Sequence, residues 1–266
     1  MIRVVVCGGC GKMASVAANY IENDQTLELV GIIESPSHPS CGKDWGVATG
    51  KPKSNVIVES DLTKVMNCCD VVVDFTNPEA TLNHLATCEE YGKAMVVGTT
   101  GLNAGQIDQI KKASESIPIV FSPNMALGVN LLFELVKKAA SVLDENYDVE
   151  IMETHHRYKK DAPSGTAKKI AEIIARERKI NLEEMAVYGR VGVTGQRKEG
   201  EIGMHALRAG NINGEHTIIF NSIGERLELT HRAYSREAFA EGALKAIHFI
   251  LKQKIGLFSM KEVLDL

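Results

Sequence analysis

The sequence predicts an α/β protein in two parts: a doubly wound parallel sheet, then a second α+β domain with an open mixed or antiparallel sheet. Three observations carry this expectation. A valine-rich strand runs straight into a glycine loop and a helix between Ile2 and Ala14. Strand–helix units then alternate as far as Phe121. Beyond Leu143 the rhythm changes, and alternating strands follow one another with turn residues between them. Repeated strand–helix units imply parallel strands covered on both faces, whereas successive alternating strands imply a sheet covered on one. The first part is thus of Rossmann type.

Element by element, Ile2 to Cys7 is nearly all apolar, as expected of a strand buried on both faces. Gly8-Gly9-Cys10-Gly11-Lys12-Met13 follows, and residues 12–22 read as a helix with Val16, Ala17, Tyr20 and Ile21 on one side. From Gly9 the pattern is G-x-G-x-x-A. Glycines there let the backbone turn tightly and approach a pyrophosphate at the helix N-terminus. Leu27 to Ile33 is a second strand ending in Glu34, at the spacing of an acidic residue that hydrogen-bonds dinucleotide ribose hydroxyls. Ser35 and Pro36 come next, with no arginine to neutralise a 2′-phosphate, which favours NADH over NADPH.

Residues 55–58 and 70–75 read as strands, 78–91 as a helix with proline in its first turn, 94–98 as a strand, 104–116 as a helix and 117–121 as a strand. Ligands of such sheets bind outside the carboxyl ends of the strands. Asp74-Phe75-Thr76, Gly98-Thr99-Thr100-Gly101 and Ser122-Pro123-Asn124-Met125 occupy that edge. Their small polar residues suit a nicotinamide and its ribose; ordinary turn chemistry accounts for Gly98–Gly101 equally well.

Residues 124–143 read as a long apolar helix and 147–153 as a strand. Residues 167–178 form a helix, and 202–208, 216–221 and 226–231 three strands with Asn213-Gly214 and Gly224-Glu225 as the turns between them. The glycine-rich stretch 187–200 reads as an exposed mobile loop, and residues 236–253 as a closing helix followed by a short tail. Residues 1–126 with 236–266 are expected to form the dinucleotide-binding domain, and 127–235 the substrate-binding and oligomerisation domain, with the substrate between them.

Against 34 acidic residues the chain has 30 basic ones, so its charge gives no general attraction to nucleic acid or to a membrane. No apolar run is long enough to span a bilayer, and no signal segment precedes the first strand. The six cysteines include Cys7 and Cys10 at C-x-x-C spacing, but no second ligand pair follows. A metal site is not expected, and a cytoplasmic protein with reduced thiols is.

The segment Glu153-Thr-His-His-Arg-Tyr-Lys-Lys-Asp-Ala-Pro-Ser-Gly-Thr166 carries most of the chemistry. Cations and proton donors lead into Ser164-Gly165-Thr166, where Ser164 or Thr166 caps a helix whose free N–H groups favour an anion. The combination suits a small anionic substrate that must receive a proton. A solvated strand-to-helix connection is the plain alternative.

Taken with Gly8–Met13 and G-T-T-G at 98–101, the run Glu153–Ala167 resembles the 4-hydroxy-tetrahydrodipicolinate reductase (dihydrodipicolinate reductase) family. Gly-Glu-His-Thr at 214–217, the run 224–231 and the C-terminal residues 256–266 extend the resemblance over essentially the whole chain. It implies NAD(P)H-dependent reduction of a cyclic imine dicarboxylate to tetrahydrodipicolinate, in lysine and diaminopimelate biosynthesis. It also implies a homotetramer assembled through the sheets of the second domain. His155 matches the family's proton donor or acceptor and Lys159 its second proton donor; His156, Gly165 and Thr166 match substrate-contacting positions. Gly8, Gly9, Cys10, Gly11, Lys12, Met13, Glu34, Gly98, Thr99, Thr100, Ser122, Pro123, Asn124 and Met125 match cofactor-contacting ones. Lys12 stands where arginine is common, Ser35 where a basic residue is frequent, and Ala126 where serine is usual.

A dicarboxylate needs localised positive charge. Ser164, Gly165 and Thr166 are placed to hold one carboxylate, and Lys159, His156 and Arg236 to engage the other. Two rival readings are a different two-domain NAD(P)-dependent dehydrogenase and a non-catalytic dinucleotide-binding regulator. The first lacks the His-His-Arg-x-Lys…Ser-Gly-Thr constellation, and the second has no need of proton donors.

Overall fold

All seven strands of the first sheet run in the same direction. In the computed structural model, which describes residues 1–266, the chain divides into two compact units, Met1–Leu127 with Arg236–Leu266, and Gly128–Ser235. The first contains β1 (Ile2–Cys7), α1 (Ala14–Asn23), β2 (Leu27–Ile33), α2 (Trp45–Ala48), β3 (Val58–Glu59), a 3₁₀ segment (Leu62–Cys68), β4 (Val71–Asp74), α3 (Pro78–Glu90), β5 (Ala94–Val97), α4 (Ala104–Ala113) and β6 (Pro118–Phe121). The second runs from α5 (Leu127–Val142) through β7 (Asp148–His155), α6 (Gly165–Arg178), α7 (Leu182–Met185), β8 (Ala186–Tyr188), β9 (Ile202–Arg208) and β10 (Glu215–Asn221) to β11 (Arg226–Arg232). The chain then re-enters the first unit as α8 (Glu237–Ile250), β12 (Gly256–Phe258) and α9 (Met260–Leu264).

Alternation along β1 explains the layering of the first unit. Val4 and Val6 pack with α1 and α8, whereas Val5 and Cys7 pack on the other face with Leu85 of α3 and Ile110 of α4. Both sets are fully buried, which is why this strand has no polar face. The strand order is β12-β6-β5-β4-β1-β2-β3.

The second sheet has the order β11-β10-β7-β9-β8. Leu132 and Val136 of α5 and Ile170 and Ile174 of α6 cover one face, against Val149, Ile151, Ile202, Ile218 and Phe220. On the opposite face Met152 and Leu207 are 40% and 46% exposed.

Several expected elements differ, each for a local reason. The strand expected at 55–58 shrinks to Val58–Glu59, because Asp44 takes the Asn55 N–H at 2.7 Å and Asn55 adopts φ 63°. The helix expected from Asn124 starts at Leu127, since the Asn124 side chain accepts from Ala126 N in a turn of its own. Asn213-Gly214 does not join neighbouring strands: β9 and β10 flank β7, β9 parallel to it and β10 antiparallel. The stretch 187–200 begins inside edge strand β8, and its Arg190 and Arg197 bind Glu150 on β7 at 3.0 and 3.3 Å. The tail supplies the seventh strand, where Gly256 pairs with Pro118 and its N–H reaches Ser114 O. A three-residue strand with a parallel partner far back in the chain leaves no periodic trace.

Gly242 is where α8 meets the chain after β6: a Cβ there would stand 1.8 Å from Met125 O, which is backbone and cannot swing aside. Gly242→Ala is therefore expected to destabilise the protein by about 1–3 kcal/mol through overpacking, read as a lower midpoint in thermal denaturation.

Candidate functional site

At the strand ends of the first unit, the glycine loop is shaped by contacts that exclude side chains. Gly8 has φ 78°, and a Cβ there would lie 2.9 Å from Phe75 O. At Gly9 a Cβ would be driven to 2.6 Å from the Ile32 side chain, and at Gly11 to 3.0 Å from Gly8 O. The Gly9 carbonyl accepts from Trp45 Nε1 at 2.9 Å, and Glu34 Oε1 accepts from Cys10 N at 2.8 Å. The chain's one tryptophan, fully buried, thus anchors the loop, and Glu34 ties it to the end of β2. Lys12 is exposed and Met13 partly buried just before α1.

The neighbouring edge is organised by Asp74, which is fully buried at the end of β4. Its Oδ1 accepts from Thr76 N and from the hydroxyls of Thr76, Thr81 and Thr99 at 2.7–3.1 Å. Its Oδ2 meets His84 Nδ1 at 2.6 Å. Burial would raise this carboxyl, but the bonds from His84 and the threonines outweigh it and hold it below its ordinary range. Thr99 is thereby committed to Asp74, while Thr100 is exposed. Gly98 lies under the Phe75 ring, where a Cβ would be 2.1 Å from Cε1. Ser122 Oγ donates to Asn124 O, and Pro123 is exposed. Met125 departs from expectation: its side chain is core, 1% exposed, so this position offers a ligand backbone only.

A cleft of about 670 Å³ opens here, lined among others by Gly8, Gly11, Glu34, Ser35, Asp61 and Thr76. The backbone-bare loop and the acidic end of β2 fit a dinucleotide. Two groups in this region bring possible metal-ligand atoms within 4.8 Å of one another, Cys10 with Glu34 and His38, and Cys7 with Asp74 and His84. Asp74 Oδ1 is already taken by four donors and its Oδ2 by His84, and His38 Nδ1 already accepts from Ser40 N at 3.2 Å.

In the second unit, β7 alternates so that Val149, Ile151, Glu153 and His155 all face inward. That period of two is the signal by which Glu153 joins His155; sequence reasoning assigned it no role. Glu153 is 1% exposed and His155 9%. His155 Nδ1 meets Glu153 Oε2 at 2.5 Å, and Arg208 of β9 donates to both carboxylate oxygens at 2.9 and 2.8 Å. Ser164 N donates to Oε1 at 3.1 Å. Ser164 is the N-cap of α6, accepting from Ala167 N, so of the two candidate caps it is the one used rather than Thr166. Its hydroxyl also meets His216 Nε2 at 3.1 Å, and the His216 ring stands edge-on to His155 with centroids 5.3 Å apart. His216, Arg208 and Gly214 had no part in the expected site; the run Gly-Glu-His-Thr at 214–217 contains two of them, and nothing in the sequence pointed to Arg208. A Cβ on Gly214 would lie 3.1 Å from His155 Nε2, so any larger residue there would crowd that nitrogen.

Lys159 Nζ pairs with Asp161 at 2.9 Å. His156 is partly buried beside Tyr158. Gly165 is exposed, with nothing within 4 Å of where a Cβ would stand, and Thr166 follows it in the first turn of α6. Arg236 is exposed at the N-cap of α8, in the first unit.

Burial would raise the Glu153 carboxyl, yet Arg208 and His155 hold it below its ordinary range. Burial also lowers the His155 imidazole; Glu153 opposes this in part, while Lys159 and Arg208 reinforce it. For His216, burial and then His155 push the ring down to about 3.

An all-parallel sheet with a glycine cradle at its strand ends, together with a unit carrying a buried acid–histidine pair, belongs to the class of nicotinamide-dinucleotide-dependent oxidoreductases acting on small molecules. Residues 2–125 match the family described as dihydrodipicolinate reductase, N-terminus, and residues 128–264 its C-terminus. The chain belongs to the dihydrodipicolinate reductase family. It is 47% identical over 266 residues to a 4-hydroxy-tetrahydrodipicolinate reductase of Nitrosomonas eutropha, covering 100% of this chain and 99% of that one. It is 44% identical over 264 residues to another from Syntrophus aciditrophicus, covering 99% and 98%. Among solved structures, a dipicolinate-bound dihydrodipicolinate reductase from Paenisporosarcina sp. TG-14 superposes with TM-score 0.78 at 28% identity, over 98% of each chain. An amine dehydrogenase from Mycobacterium smegmatis, TM-score 0.61 and 15% identical over 97% of this chain and 95% of that one, shares the fold. No helix is long and apolar enough to cross a membrane.

Because the folded ring of His216 resists protonation down to about pH 3, its resonances should stay fixed in an NMR titration across the usual histidine range, ~5–8. The unfolded chain takes that proton first, so this group's share of stability falls as pH drops below its ordinary value toward the folded one.

Proposed function

We propose that this chain converts 4-hydroxy-tetrahydrodipicolinate, a cyclic imine dicarboxylate, to tetrahydrodipicolinate with NADH or NADPH, the 4-hydroxyl leaving as water and the conjugated ring so formed gaining a hydride and a proton, in lysine and diaminopimelate biosynthesis in the cytoplasm. The observation that carries the reading is the second unit's cluster. A histidine with one nitrogen bound to a buried carboxylate has its other nitrogen beside a glycine, on the strand that leads to the start of α6, where Gly165 is exposed. The dipicolinate named in the solved relative is itself a planar ring with two carboxylates.

The nicotinamide dinucleotide, when bound, supplies the hydride. What this chain's residues do follows from their chemistry. Gly165 and Thr166 open α6, where backbone N–H groups and the helix dipole suit one substrate carboxylate. Lys159 keeps donors beyond the one engaged by Asp161, and with His156 suits the second. Reduction of the conjugated ring leaves negative charge that a proton must quench. His155 is the proton donor, through Nε2, with Lys159 as the second.

Glu34, Ser35, Pro36, His38 and Asp61 line the cleft beyond β2, with no lysine or arginine among its lining residues. A 2′-phosphate there would meet two carboxylates, which favours NADH. The homotetramer that the family resemblance implies would assemble through this sheet, whose outer face carries the partly exposed Met152 and Leu207.

Pyruvate and aspartate semialdehyde, converted in situ by a separate synthase, provide the substrate for a coupled assay that follows loss of the reduced nicotinamide. Oxidation is expected only in the complete mixture, with higher kcat/KM for NADH. His155→Ala is expected to lower kcat by roughly 10²–10⁴-fold with little change in KM. Lys159→Ala should impair both, because it removes a carboxylate partner as well as a proton donor. Near-full turnover in both variants would refute the site assignment, and no oxidation by folded, dinucleotide-binding protein would refute the activity.

A further inference from the structure

The Glu153 carboxylate accepts from three N–H donors and makes a fourth contact with His155 Nδ1. Oε1 accepts from Arg208 Nη2 at 2.8 Å and from Ser164 N at 3.1 Å. Oε2 accepts from Arg208 Nη1 at 2.9 Å and meets His155 Nδ1 at 2.5 Å. Arg208 bonds both oxygens as a guanidinium fork, and this charge pairing holds the carboxylate ionised and acceptor-only. The proton between Glu153 and His155 therefore sits on Nδ1, and Nε2, beside Gly214, is the nitrogen that takes up a second proton to form the donating imidazolium.

We propose that Glu153, clamped by Arg208, is the positioning residue that fixes the tautomer and ring orientation of His155, so that Nε2 alone carries the transferable proton. The inference rests on His155 being the acid of the proposed reaction. Arg208 is the clamp because its guanidinium bonds both oxygens and also donates to Asp161 O at 2.7 Å, tying β9 to the loop before α6. The groups facing His155 are Glu153 on its own strand, Arg208 from β9, His216 from β10, and Lys159 with Asp161 from that loop. Of these, Glu153 is the anion in direct contact, opposing burial and the two cations.

Glutamine at this position fails on geometry. Its NH₂ would face Arg208 and Ser164 N–H on one side, or Arg208 and His155 on the other. In the second placement the ring must accept at Nδ1 and move its proton to Nε2, the wrong tautomer for receiving a proton there and passing it on. The deciding experiment compares kcat–pH profiles of the unaltered protein, E153Q, E153D and H155A, each checked for NADH binding and circular dichroism. E153Q is expected to lose on the order of 10²-fold in kcat. Its alkaline limb should move to lower pH by about one unit, because the protonated ring has lost its anion. E153D, which keeps the charge, should restore the limb toward its original position.

An unshifted limb in E153Q, with turnover merely scaled down, would overturn the proposal and leave Glu153 a structural residue. Full turnover in H155A would instead sink the reading on which the proposal rests. ¹⁵N NMR of the unaltered protein gives a result independent of whether E153Q folds. A neutral His155 protonated at Nδ1 supports the assignment, and protonation at Nε2 overturns it.

Discussion

A carboxylate sealed inside a sheet unit must be answered by donors, and the second unit is arranged around answering Glu153. Arg208 reaches it from β9, Ser164 N from the start of α6, and His155 from the end of its own strand. The end of β7, the start of α6 and, 55 residues from Glu153, β9 are thereby fixed at one point. An unpaired charge there would cost several kcal/mol, so each donor is held as firmly as the carboxylate is. The helix start that suits an anion and the histidine that suits a proton transfer are consequently set against one another by a group that need not touch a substrate.

How much of this is legible in the sequence depends on the range of the interaction. β1 and β2 have the limits read from their apolar runs, since a strand buried on both faces and closed by glycine or a charge has little freedom to shift. The N-cap at Ser164 is equally local, a hydroxyl followed by helix-forming residues. Element ends go astray where a side chain takes a backbone donor. Asp44 does so at Asn55, and Asn124 at Ala126. Both bonds compete with regular structure on terms that periodicity does not register.

The candidate site divides along the same line. His155, Lys159 and Ser164–Thr166 stand together in sequence and are legible as chemistry. Arg208 and His216 lie on other strands, and Trp45 reaches Gly9 from a separate turn of helix. No window of sequence contains them together. The alternation of β7 holds a signal that went unused: Glu153 falls on the inward face, and a charge there has to be explained by something across the sheet.

The same device occurs in both units. Asp74 ends a middle strand of the parallel sheet and Glu153 lies near the end of the middle strand of the mixed one, at 0% and 1% exposure. Each binds a histidine at Nδ1, His84 at 2.6 Å and His155 at 2.5 Å, and each is otherwise filled by donors from adjoining loops or strands. In both, desolvation is outweighed by hydrogen bonds, so the group remains an anion and can accept only. An acceptor-only group imposes one orientation on every donor around it. At Asp74 those donors are the threonines of the proposed nicotinamide edge, held before any ligand arrives. At Glu153 the donor is the proposed acid itself. Pre-organisation at both sites thus follows from burying a charge at a strand end, where the sheet is rigid and the loops that bind ligands begin.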